Sequence, residues 1–261
     1  MNNYIKSEIR RAVISKKAII SFVIALISLI IPLYLFCYIG GISFIGLHFD
    51  AVDVFARIRS TSEGALLVVI FPLLASIIFS DSYTVEKESG FTKFIYSRMS
   101  VKSYVWIKVI SNAISSMVVG IMASGTMFIF LICILGIRTT DGLVVDGPFS
   151  SIYYSNKLLY GIIMVLITGI CYAVISELSL GISAWIKNRY LVLIIPFFGY
   201  ILCGTLIEEL GINRVFNFNF SQVYALNIIV TTTHEILYPL MLLLIGIGLF
   251  YLGVVKREKD M

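Results

Sequence analysis

Six apolar stretches of membrane-spanning or near-spanning length dominate this chain. They cover approximately residues 18–39, 64–80, 104–135, 158–186, 190–207 and 236–255. About 20 apolar residues are needed to cross a hydrocarbon core of about 30 Å. Inside lipid the backbone must satisfy its own hydrogen bonds, so such runs form helices unless they alternate as barrel strands do, and these do not alternate. Composition agrees. Of 261 residues, 59% are hydrophobic and 13% charged, against about 25% charged in ordinary globular proteins. So few charges would not cover a soluble surface. The sequence predicts an all-α membrane protein with six transmembrane helices and one transmembrane domain over residues 1–261. Pro72 and Pro196 fall in the two short runs, where kinks are expected.

The charges predict orientation. With both termini cytoplasmic, the inner segments hold fifteen of the twenty Lys and Arg, among them Arg10, Lys17, Lys87, Lys93, Arg98, Lys108, Lys187 and Lys256. The outer segments hold Arg57, Arg59, Arg138, Lys157 and Arg214. This is a strong positive-inside bias. Trp106 and Trp185 both fall near the inner boundary. The basic leader before residue 18 resembles the start of a signal peptide, but the apolar run behind it is too long and reads as a retained helix. Within residues 1–17, Ile5, Ile9 and Val13 share one face, with Lys6, Arg10 and Lys17 on another. That pattern predicts an interfacial helix in the headgroup plane.

Several chemistries are disfavoured. Cys37, Cys133, Cys171 and Cys203 have no C-x-x-C spacing and sit in or beside apolar runs, so they read as packing thiols and not as a metal or disulfide framework. There are two His. His48, Asp50 and Asp53 read as solvated residues of a connector. Glu208-Glu209 followed by Arg214 comes near the E-E-x-x-x-R of intramembrane CAAX-type proteases, but the spacing is one residue too long and no later span carries a histidine. No catalytic residues and no metal site are expected, and the basic charge speaks for the lipid bilayer and not for nucleic acid. The outer segments 40–63 and 136–157 read as ordinary connectors. Residues 208–235 mix Phe216, Phe218 and Phe220 with asparagines and read as an outer re-entrant or interfacial segment.

The segment between the second and third runs is the most informative. Glu86 and Glu88 end at Gly90, a helix stop. Phe91, Phe94 and Ile95 follow at i, i+3 and i+4, with Lys93 and Arg98 beside them. Ser100 is placed to cap the next helix. With Asp81, Ser97-Arg98, Tyr104 and Lys108, this stretch resembles the ABC-2 type (type V) permease subunits of ABC transporters. The resemblance implies a cytoplasmic coupling segment over 82–100, with Glu86, Glu88, Gly90, Phe91, Phe94, Ile95 and Arg98 coupling to a separate ABC ATPase subunit. The permease itself would be no enzyme. ATP and Mg would be bound by that ATPase, in keeping with the lack of a G-x-x-x-x-G-K-[ST] loop in this chain. A second permease copy or paralogue would complete a dimer or heterodimer in a bacterial cytoplasmic membrane. The cargo would be hydrophobic or amphipathic: an antimicrobial peptide, a drug or a lipid.

Within the spans, Glu177 is the one clear charge. It lies nine residues before Ile186, about 13 Å from the inner boundary. Tyr172, Ser176, Ser179 and Ser183 run beside it as a polar stripe, and Glu177, Gly181 and Ala184 form a small-residue stripe. In the third run Asn112, Ser116, Gly120 and Ser124 recur every four residues, a pattern for close helix approach. A pathway surface and an interhelical packing surface both fit these residues. The alternative to the permease is an ATP-independent membrane protein, either a proton-coupled transporter working through Glu177 or a non-transporting immunity or assembly factor.

Overall fold

A computed structural model describes residues 2–59, 66–138, 145–211, 216–226 and 230–259. Among them every regular element is a helix. The basic amphipathic leader forms α1 (Asn2–Val13). Ser15 then accepts a hydrogen bond from the Ala18 amide at 3.0 Å and starts α2 (Lys16–Gly40). There follow α3 (Ile42–His48), α4 (Ala51–Arg59), α5 (Leu66–Phe79), α6 (Ser82–Glu88), α7 (Phe91–Tyr96), α8 (Val101–Leu135), α9 (Ser150–Ser155), α10 (Lys157–Ser183), α11 (Arg189–Glu209), α12 (Phe220–Ala225) and α13 (Thr232–Lys259).

Five stretches are long and apolar enough to span a membrane: α2, α5 continuing into α6, α8, α10 and most of α13. They make this a multi-pass helical membrane protein. The apolar part of α11, Arg189–Thr205, is shorter. Helix α8 has 35 residues; at about 1.5 Å each it outreaches a hydrocarbon core of about 30 Å.

Helix α10 is the centre of the bundle and packs against α4, α5, α8, α11 and α13. Small residues let it do so. A methyl group added at Gly181 would lie 2.6 Å from the Gly246 carbonyl oxygen, and one at Gly246 would lie 2.7 Å from the Glu177 carbonyl. On the other side, Gly120 of α8 meets the Tyr172 ring and the Gly169 backbone. These approaches are the small-residue contacts that draw membrane helices together.

Pro72 and Pro196 each leave a carbonyl without its usual helical donor, and a hydroxyl on a neighbouring helix supplies the bond. Pro72 cannot donate to Val68, and the Tyr200 hydroxyl on α11 donates to that oxygen at 2.6 Å. Pro196 likewise frees Val192, whose carbonyl accepts from Ser179 of α10 at 3.0 Å. A carbonyl without a donor is costly in lipid. We therefore expect Tyr200→Phe to cost about 1 kcal/mol of unfolding free energy, measured by denaturant titration in mixed micelles.

The bundle has two ends of different character. One, here called the basic end, gathers α1, α6, α7, the starts of α2, α8 and α11 and the ends of α10 and α13. Tyr83, Ile95, Tyr104, Val105, Leu180, Ala184, Phe250 and Val254 form its core. Trp106 and Trp185 are half exposed there. The opposite end carries α3, α4, α9 and α12. The connector reading of 40–63 and 136–157 is corrected here, since both segments contain helices that pack on the bundle.

Asp50 and Asp53 are not solvated but fully buried. Asp50 caps α4 by accepting from the Val52 and Asp53 amides, both at 2.9 Å. Lys157, opening α10, donates to Asp50 at 3.0 Å and to Asp53 at 3.4 Å. The Tyr153 hydroxyl also donates to Asp53. Burial holds the Asp53 carboxyl above the ordinary carboxylate range, against the hydrogen bonds from Tyr153 and the Asp50 backbone. Arg59, expected among the outer charges, is also buried and donates to the Thr168 hydroxyl and the Tyr224 carbonyl. Arg214 lies outside the described residues, as do parts of the 208–235 segment.

Candidate functional site

The basic end carries the predicted coupling segment, and its residues divide into an inward and an outward set. Helix α6 ends where expected. Gly90 adopts φ +72°, a left-handed turn that favours glycine, and α7 leaves in a new direction. The segment is therefore two short helices joined at Gly90. In α7, Thr92 and Ile95 face the bundle, while Phe91 and Phe94 are 49% and 69% exposed. The expected shared face of Phe91, Phe94 and Ile95 is thus split, with Ile95 in the core beside Tyr83 and Tyr104. Glu88 and Arg98 are exposed. Ser100 caps α8 as expected, accepting from the Ser103 amide at 3.3 Å.

Glu86 is the surprise. It is buried and holds three elements together, α1, α6 and α8. Lys108 of α8 donates to it at 2.6 Å, the Tyr104 hydroxyl at 2.7 Å and Arg11 of α1 at 3.1 Å. Lys108, fully buried, also donates to Glu8 of α1 at 3.0 Å. Its ammonium sits 4.9 Å from the centre of the Phe79 ring. Nearby, Lys17 of α2 pairs with Asp81. Every charge in this cluster has a partner of opposite sign, the condition under which buried charges are tolerated. Chemically the cluster is a brace. It fixes α6, and through Gly90 the direction of α7, against the first two helices and α8.

A second polar network lies deeper. The Asn112 amide donates to the Glu177 carboxyl at 2.9 Å, and Ser176 donates to the Asn112 carbonyl oxygen at 2.8 Å. Ser80 reaches the Ser176 backbone carbonyl at 3.1 Å. Glu177 is fully buried. Of the other stripe residues, Ser116, Ser124 and Ser183 bond within their own helices and Ser179 bonds across to α11. Ser116 and Ser124 donate to the Asn112 and Gly120 carbonyls, Ser183 to Leu180, and Ser179 to Val192. Tyr172 is buried between Gly120 and Phe71. Asn112, Ser176 and Glu177 do meet across α8 and α10, with the hydrogen-bonded carboxyl between them.

Glu8, Arg11, Tyr104 and Lys108 escaped the sequence reading as a cluster, although the signal exists. The four-residue stripe Asn112, Ser116, Gly120, Ser124 extends two steps backwards through Lys108 and Tyr104, and all six are buried. Glu8 is the lone acid among the basic residues of α1. Searches against protein-family models, curated proteins and solved structures return no match for this chain.

Proposed function

We propose that the chain is the permease subunit of an ATP-driven ABC exporter of the ABC-2 type, with α7 as the contact for a separate ATPase subunit. The observation that carries this reading is the pair Phe91 and Phe94, two large aromatics held in the open on a six-residue helix whose inner face is anchored. Exposed aromatics on a rigid support suit insertion into a partner's pocket. The buried brace behind them would pass a push on α7 into α8 and α1. Helix α11 serves as the sixth span, and the basic end faces the cytoplasm, consistent with its Lys and Arg content. A second permease copy or paralogue completes the pathway in a bacterial cytoplasmic membrane, and the cargo is hydrophobic or amphipathic.

The test is purification from native membranes with the ATPase rate measured on the complex. We expect a subunit with a phosphate-binding loop to co-purify, and Phe91→Asp with Phe94→Asp to abolish that association while the protein keeps its thermal unfolding profile. Unchanged association and ATPase coupling in that double variant would overturn the assignment. If transport is instead lost in Glu177→Gln and requires no nucleotide, the proton-coupled alternative takes its place.

A further inference from the structure

Helices α10 and α13 part over several turns and leave a cavity of about 420 Å³, within the size range of small-molecule sites. Leu166 and Ile170 of α10 and Ile236 and Leu240 of α13 line it and are also partly exposed on the outer face of the bundle. The mouth therefore opens towards lipid acyl chains. The α10 wall runs from Ile163 to Val174, about 16 Å of helix, the length of a medium aliphatic chain.

One group breaks the apolar lining. Glu235, in the first turn of α13, is 5% exposed and lines the cavity. Among the described residues neither carboxyl oxygen has a hydrogen-bond partner. The charge that acts on it is Arg59, which bonds to Thr168 and Tyr224 through Nη2 only, while its buried Nε and Nη1 make no hydrogen bond to Glu235 or to any other described residue. A carboxyl buried at membrane depth without a partner is expensive; elsewhere in this protein Asp50, Asp53, Glu8 and Glu86 have cationic partners, and Glu177 accepts a hydrogen bond from Asn112. Glu235 has neither an ion pair nor a hydrogen bond among the described residues, and it lies beside a slot shaped for an aliphatic chain.

We propose that this cavity binds a lipophilic amine, with the ammonium on Glu235 and the aliphatic tail between α10 and α13. The site is built by the bundle alone and requires no ATPase. An anionic headgroup would meet the carboxyl, and a neutral one would leave it unpaired, so the site discriminates by charge as well as by shape.

The test uses the full chain in phosphatidylglycerol nanodiscs and a photoreactive long-chain alkylamine, with the matching alkyl alcohol as control. We expect the amine to label residues in 163–174 and 235–243, read by mass spectrometry, and the alcohol to label about tenfold less, as for a lost contact of about 1.4 kcal/mol. Glu235→Gln should bring amine labelling down to the alcohol level. Leu240→Trp fills the cavity, leaves the carboxyl in place and should reduce both. If Glu235→Gln does not fold, the amine-to-alcohol ratio in the unaltered protein still decides. Equal labelling by the two probes, or full amine labelling in a folded Glu235→Gln protein, overturns the proposal. Repeating the assay in phosphatidylethanolamine nanodiscs separates the sources. Competition there marks an amine-headed lipid as the occupant, and its absence marks an amphiphile from outside the bilayer.

Discussion

Replacing Lys108 with Met should be the most damaging single change in this protein, at about 3–5 kcal/mol. Lys108 is fully buried between Glu8 and Glu86, themselves nearly buried. The substitution keeps the length of the side chain and much of its apolar stem, so what is lost is the charge. Two carboxylates then face each other without the cation that separated them. Arg11 still reaches Glu86, but it is half exposed and compensates in part only. Combining Lys108→Met with Glu86→Gln should recover a share of the loss, because the uncompensated charge is then removed. Unfolding in mixed micelles across this set would measure the coupling. A Lys108→Met protein as stable as the parent would show that the brace contributes nothing.

The second large effect is expected at Gly246. An alanine there would place its Cβ 2.7 Å from the Glu177 carbonyl and 2.8 Å from the Leu178 amide nitrogen. Those are backbone atoms of α10, which no rotamer change can move. The two helices must separate, and overpacking of this kind costs about 1–3 kcal/mol. Gly246→Leu should cost more. By contrast Gly248, with nothing near its Cβ position, should tolerate alanine. Intrinsic helix propensity favours alanine over glycine at both positions, so a Gly246→Ala protein as stable as the parent would show that the approach to α10 does not set the cost.

What could be read from the sequence follows the range of the interactions involved. The long helices announce themselves because each apolar run is a local property, and their ends lie within a few residues of expectation. The turn at Gly90 and the cap at Ser100 are equally local and were legible. The small-residue stripes on α8 and α10 were visible too, since a period of four needs no knowledge of the partner helix. Asp50 and Asp53 were misread as solvated because their pairing with Lys157 joins residues 107 and 104 positions apart. Their burial is decided by α4 folding back on the bundle, which no window of sequence contains. Glu86 was legible as a notable residue but not as an inward one. An acid on a short helix between two spans faces water unless a cation waits beneath it, and that cation lies on α8.

The brace also has a consequence for how the protein is made. The ammonium of Lys108 and the carboxyl of Glu8 are separated by 100 residues of chain. During synthesis α1 emerges before α8, and its acid has no partner from α8 until α2, α5 and the start of α8 have followed. Helix α1 must therefore wait at the membrane surface and dock late, after α8 has inserted. The order of assembly is set by when the partner charge arrives, so α1, translated ahead of α8, reaches its final place after it.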